Sequence, residues 1–192
     1  MKVVAFSGSP RKDGNTAIMV KRVFQELNKE GIDTELVQLA GKKIHGCIAC
    51  MKCFEKADQR CVVDDDVAND CISRMVDAEA IILASPTYFA DVTPEIKALI
   101  DRAGMVSMAN GGMLKRKVGA SVVVARRGGS IHVFDSLNHF FLISQMIVPG
   151  STYWNLGFGM NKGDVEQDQE AMKTMEVLGI NMAWLMKKIK GE

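Results

Sequence analysis

The chain has 192 residues, 47% of them hydrophobic, and a formal net charge of +1. That length suits one domain, 1–192, with room for a full core. The near-neutral balance gives no reason to expect nucleic acid or a charged membrane surface as a partner, and no apolar run is long enough to span a bilayer.

The first apolar run, Met1 to Phe6, breaks at Ser7-Gly8-Ser9-Pro10. It is too short for a signal peptide and predicts a first strand over 3–6. A cytoplasmic, reducing location is therefore expected, and five cysteines, an odd number, argue against a disulfide framework. Residues 15–29 predict a helix with Ala17, Val20, Phe24 and Leu27 on one face and Gly31 as its stop. Residues 34–39 alternate as a second strand. Residues 46–66 hold four cysteines, lack a clean period, and are expected to form a long insertion loop. A short helix over 67–76 follows the acidic Asp64-Asp65-Asp66.

The continuous apolar run 80–84 reads as a strand buried on both faces. Thr93-Pro94-Glu95 opens a helix that turns Ile96, Leu99 and Ile100 inward. Residues 118–125 predict a fourth strand, 133–145 a helix carrying Leu137 and Phe141, and 146–148 a fifth strand. Asp164 with Gln167 resembles a capping box for a last helix. Its apolar face would hold Met172, Met175, Leu178, Met182, Leu185 and Ile189. Alternating strands and helices imply right-handed βαβ units. The expected fold class is α/β: a flavodoxin-like, doubly wound, five-stranded parallel sheet of order 2-1-3-4-5, with helices on both faces. In such sheets ligands bind at the carboxyl ends of the strands.

Three loops are expected at that edge. The loop after strand one offers hydroxyls at Ser7, Ser9 and Thr16, the Asn15 amide and the Arg11 guanidinium, all beside a helix N-terminus. A terminal phosphate there would meet several donors at once. The loop is neither a dinucleotide fingerprint nor a Walker A sequence, which favours a mononucleotide. The loop after strand three, Ser85-Pro86-Thr87-Tyr88-Phe89, supplies flat apolar surface for a ring system. After strand four, Arg126, Gly128 and Gly129 allow close backbone approach and offer a cation near a ring that gains negative charge on reduction. Taken singly, each loop is also consistent with an ordinary turn. Together they are the parts an FMN site needs.

Cys47, Cys50, Cys53 and Cys61 read C-x2-C-x2-C-x7-C. Four thiolates so placed suit a [4Fe–4S] cluster. Zinc prefers two separated pairs, and thiols that bind nothing are the third reading. Cys71, on the next helix, reads as a small buried residue. His45 precedes the cysteine motif and could neighbour the metal, though a surface role is the expected one; His132 and His139, seven apart on one helix, read as packing or surface residues. The thirteen methionines read as packing and interface surface.

Gly8-Ser9-Pro10-Arg11 with Asn15-Thr16, then Ser85-Pro86-Thr87-Tyr88, then Lys97 to Asp101-Arg102, resemble the NAD(P)H-dependent FMN reductase superfamily over most of the chain. The cysteine motif narrows the resemblance to the iron–sulfur flavoproteins of anaerobic archaea and bacteria. The resemblance implies FMN contacts from Ser9, Arg11, Asn15, Thr16, residues 85–89, Gly128 and Gly129, and a [4Fe–4S] cluster on Cys47, Cys50, Cys53 and Cys61. It further implies electrons taken from a ferredoxin-like donor or NAD(P)H and passed to oxygen, peroxide or a quinone. No side chain need act as acid or base, because the flavin carries the chemistry. A cluster-free FMN or quinone reductase and a non-enzymatic flavodoxin-like carrier are the alternatives. A homodimer or homotetramer is expected, with residues 150–163, including Tyr153, Trp154 and Phe158, at or near its interface. The cysteine segment is expected on the surface near the carboxyl edge, its cluster serving an FMN held by a neighbouring chain.

Overall fold

Every second residue of the central strands turns to the same side, and this alternation divides the core in two. In the computed structural model, which describes residues 1–191, β1 (Lys2–Ser7) sends Val3 and Ala5 to one face and Val4 and Phe6 to the other. β3 (Ala80–Pro86) does the same with Ala80 and Ile82 against Ile81 and Leu83. The sheet is completed by β2 (Asp33–Gln38), β4 (Val118–Ala125) and β5 (Leu156–Phe158). All pairings are parallel and the order is 2-1-3-4-5, as the sequence predicts.

α1 (Asn15–Lys29) and α6 (Gln169–Lys190) cover the first face. They approach so closely at Gly179 that a Cβ there would lie 2.7 Å from the Val23 carbonyl oxygen. The second face carries α3 (Ala68–Asp77), α4 (Pro94–Ala109) and α5 (Ser130–Ile143). The short α2 (Lys52–Lys56) lies inside the cysteine segment, where a plain loop was expected. Among the described residues no helix is long and apolar enough to cross a membrane.

The fifth strand, the start of the last helix and its inward face differ from expectation. Residues 146–148 supply one bridge, from Ile147 to Val118, and the fifth strand is instead Leu156–Phe158. The last helix is capped by Asp168, whose side chain accepts from the Ala171 N–H at 3.0 Å. Asp164 opens a single 3-10 turn, Asp164–Gln167, and accepts the N–H groups of Met160 and Asn161. Met186 takes the inward place expected of Ile189, which is exposed.

Candidate functional site: a carboxyl-edge cleft and a four-cysteine cavity

β1 ends against α4. Gly8 sits where a Cβ would lie 2.1 Å from Thr93 Oγ1 and 2.6 Å from Ile96 Cγ1, so only glycine lets the first loop pack on the start of that helix. Beyond Gly8 the loop turns on its own hydroxyls. Ser7 Oγ accepts from the Ser9 N–H, and Ser9 Oγ accepts from the Arg11 N–H at 3.3 Å. α1 then begins at Gly14 with no side-chain cap and no acidic residue in its first turn. Its N-terminal amides have no capping side chain of the helix's own.

This helix end opens into a cleft of about 230 Å³ at the carboxyl edge of the sheet. Ser9, Arg11, Asn15 and Thr16 stand on one side of it, and Pro86, Thr87, Tyr88 and Arg126 on the other. Its wall holds two arginines and no acid. Thr87 Oγ1 is buried without a hydrogen-bond partner. Ser7, Ser85, Phe89, Gly128 and Gly129, also expected here from the sequence, lie outside that wall. Ser85 Oγ accepts the Thr93 N–H at 3.0 Å. Gly129, at φ 89°, lets the start of α5 pack under the loop, where a Cβ would meet Thr87 Cγ2 at 3.1 Å. Phe89 is fully exposed at the tip of a tight turn in which Tyr88 and Asp91 exchange backbone hydrogen bonds. Phe89 (φ 45°) and Ala90 (φ 68°) both take left-handed geometry. For residues other than glycine each such conformation costs roughly 1–2 kcal/mol.

Asn15 has a second task. Its amide nitrogen donates to the Asn161 carbonyl and its oxygen accepts the Gly163 N–H, both at 2.8 Å. Arg11 Nη1 donates to the Met160 carbonyl at 2.6 Å. These bonds draw the loop after β5 over the cleft, so Gly159 and Met160 join its wall. Sequence reasoning missed both residues, because the contact spans nearly the whole chain and no local pattern marks it.

The cysteine segment leaves the carboxyl end of β2 and drapes along α4. Cys47, Cys50, Cys53 and Cys61 all line one narrow cavity of about 20 Å³, walled by Ile48, Met51, Val62, Val63, Arg102, Met105 and Val106. Cys47 and Cys50 are exposed. Burial pushes the Cys53 thiol up from its usual value. The backbone is bent hard around the sulfurs: Ala49 (φ 52°), Met51 (φ 59°), Ala57 (φ 47°) and Gln59 (φ 63°) are left-handed without being glycine. Ala49 N–H points at Cys47 Sγ, 3.5 Å away.

Asn69, Arg102 and Asp66 fix this segment. Asn69 accepts the Cys61 N–H at 2.8 Å and donates to the Cys61 carbonyl at 2.9 Å. Arg102, on α4, forms a fully buried ion pair with Asp66 and donates to the carbonyls of Val63 and His45. Asp66 in turn accepts the N–H groups of His45 and Ala68. Both ends of the segment are thereby clamped to one helix. Burial alone would raise the Asp66 carboxyl, but the N–H bonds from Ala68 and His45 and the Arg102 guanidinium outweigh it and hold the group below its usual value. Pro94, where α4 starts, belongs to the carboxyl edge. Residues 102–106 lie roughly 12–18 Å further along the helix axis at 1.5 Å per residue. The cavity is thus away from the carboxyl edge, where the sequence reading had put it, because the segment follows α4 rather than the strand ends.

A family model for the NADPH-dependent FMN reductases matches residues 1–161. An iron–sulfur flavoprotein of Methanocaldococcus jannaschii is 38% identical over 99% of this chain and 100% of its own length. The chain belongs to the iron–sulfur flavoprotein family, within the FMN reductases. Another iron–sulfur flavoprotein, from Archaeoglobus fulgidus, is 36% identical over 95% of this chain and 79% of its own. Among solved structures, RosB with bound 8-demethyl-8-formylriboflavin-5'-phosphate superposes over 100% of this chain and 81% of that one, with a TM-score of 0.74 at 18% identity. The chain is accordingly an FMN-dependent redox protein, a flavin oxidoreductase. Within this flavoprotein Cys71 is buried in the second core, its thiol pushed up to about 11 by burial. His45, His132 and His139 are exposed. His132 lies 3.6 Å from Asp91, beneath the Tyr88 turn.

Proposed function

We propose that the chain passes electrons between a [4Fe–4S] cluster held by Cys47, Cys50, Cys53 and Cys61 and an FMN held in the carboxyl-edge cleft. The donor is a ferredoxin-like protein or NAD(P)H, and the acceptor a small oxidant such as oxygen, peroxide or a quinone. The observation that carries this reading is the convergence of all four motif cysteines on one cavity.

The cleft fits FMN on its own chemistry. An uncapped helix N-terminus flanked by Ser9, Arg11 and Thr16 suits a phosphate dianion. The orphaned Thr87 hydroxyl and the Arg126 guanidinium suit the polar edge of the ring. The cysteine cavity fits a cluster better than zinc. A zinc tetrahedron with bonds near 2.3 Å needs sulfurs roughly 3.8 Å apart. Among the described residues no three cysteine sulfurs come within 4.8 Å of one another. Because the cavity is narrow and Cys47 and Cys50 are exposed, a cluster held by the four cysteines would lie at the surface.

When bound, the cluster supplies one-electron transfer and FMN links one- and two-electron chemistry. The side chains bind and orient. Arg11 and Thr16 hold the phosphate, Tyr88 bounds the ring, and Asn69, Asp66 and Arg102 hold the cysteine segment. The cavity's place along α4, away from the carboxyl edge, supports transfer to an FMN of a neighbouring chain. Exposed Ile48, Met51 and Phe54 beside the thiols offer apolar surface for that neighbour. Tyr153, Trp154 and Phe158 do so on residues 150–163, flanking grooves of about 380 and 400 Å³.

Cys50→Ser tests the reading. The variant should lose its iron and its reduction by ferredoxin, yet keep FMN that dithionite still bleaches. Full iron content in the variant, or ferredoxin reduction at the parental rate, would overturn the ligand assignment.

A further inference from the structure

The largest fully buried side chain in the protein is charged. Arg102 is 1% exposed, and it forms part of the wall of the four-cysteine cavity. Its terminal nitrogens are engaged: Nη1 with Asp66 and the His45 carbonyl, Nη2 with the Val63 carbonyl. Its Nε is buried and has no hydrogen-bond partner. Guanidinium groups are rarely buried with a donor unused, since that donor has lost its water and gained nothing. The clamp on the cysteine segment needs only the two terminal nitrogens.

Arg102 is part of the cavity wall that the four cysteines share, and Asp66 is not. The rest of the wall is largely apolar, with Ile48, Val62 and Val106 among its residues. In such surroundings charge–dipole interactions are weakly screened.

We propose that the Arg102 Nε–H donates a hydrogen bond to a sulfur of the [4Fe–4S] centre, and that the guanidinium thereby raises the reduction potential of that centre. Reduction adds one electron and one negative charge to the cluster. A fixed cation and an N–H···S bond stabilise that added charge more than they stabilise the oxidised state. Arg102 is thus a tuning residue as well as a clamp. The inference rests on the cluster reading above, and the two can fail separately.

The test starts with the whole protein purified anaerobically from cells grown on 15N-arginine and reduced with dithionite. Pulsed EPR of the reduced cluster should show a nitrogen coupling that changes from the 14N to the 15N pattern with the label. In Arg102→Lys, which keeps the charge opposite Asp66 but removes Nε–H, that coupling should vanish. In the fraction that carries the cluster, the cluster midpoint should shift to lower potential while the FMN midpoint stays at the parental value. A parental protein with a cluster but no arginine-nitrogen coupling would overturn the proposal and leave the cluster reading intact. So would an Arg102→Lys protein with full iron and an unchanged cluster midpoint. Should Arg102→Lys fail to assemble a cluster, the labelled parental spectrum alone decides. A parental protein without iron and sulfide would overturn both.

Discussion

Asn15 separates two accounts of the phosphate loop. The sequence reading makes it a ligand for the FMN phosphate, whereas its amide is committed to the backbone at Asn161 and Gly163. Asn15→Ala removes two hydrogen bonds at a site that is 8% exposed and strands a carbonyl and an N–H. Each such bond contributes about 0.5–1.5 kcal/mol, and an unsatisfied buried partner adds to the loss, so about 2–3 kcal/mol should go. For a chain of this length that lowers Tm by about 4–12 °C. The assay is thermal unfolding of the FMN-free protein, paired with Kd values for FMN and for riboflavin. If Asn15 clasps the loop, the FMN-free protein loses stability and both ligands weaken by similar factors, because Gly159 and Met160 leave the cleft together. An unchanged Tm with a selective loss of FMN over riboflavin would refute the clasp and restore the phosphate role.

Arg11→Ala should weaken FMN by roughly 10- to 150-fold, the worth of a charge-assisted hydrogen bond, and should weaken riboflavin far less; equal affinity for the two ligands in the parental protein would remove the phosphate site. Asp66 predicts an acid dependence. Its folded value is depressed, so the stability it contributes is fully present above the ordinary carboxylate value of 3.8 and is lost as pH falls through the lower folded value. In a cluster-free Cys50→Ser background, Asp66→Asn should cost about 3–5 kcal/mol near neutrality because it leaves the buried Arg102 charge unpaired. The gap between the two proteins should narrow below about pH 4, and a pH-independent gap would contradict the ion pair. Light scattering at micromolar concentration should find a dimer or tetramer, and a monomer would count against the shared-site arrangement.

The doubly wound sheet was legible because its central strands are continuous apolar runs between helices of clear period. Val118–Ala125 and Asn15–Lys29 fall where the pattern puts them. The fifth strand was not. Residues 146–148 look more strand-like than Leu156–Phe158, whose middle residue is Gly157. That glycine is needed for packing: a Cβ there would lie 2.5 Å from Met19 Sδ and 2.8 Å from Val165 Cγ2. Such a requirement comes from distant residues and leaves no periodic trace. The same holds for the sites. Cysteine spacing announced the cavity, and serines, threonines and arginines announced the cleft. What shapes both is long-range: Arg102 clamping the ends of the cysteine segment, and Asn15 holding the loop after β5.

The central claim is that four thiols on one cavity hold an iron–sulfur cluster in a protein that also binds FMN. Iron, acid-labile sulfide, zinc and flavin analysis of the anaerobically purified protein tests it most directly. The account predicts about four iron and four sulfide per FMN, with both iron and sulfide absent from Cys50→Ser. Stoichiometric zinc without sulfide, or FMN with no metal at all, would contradict it.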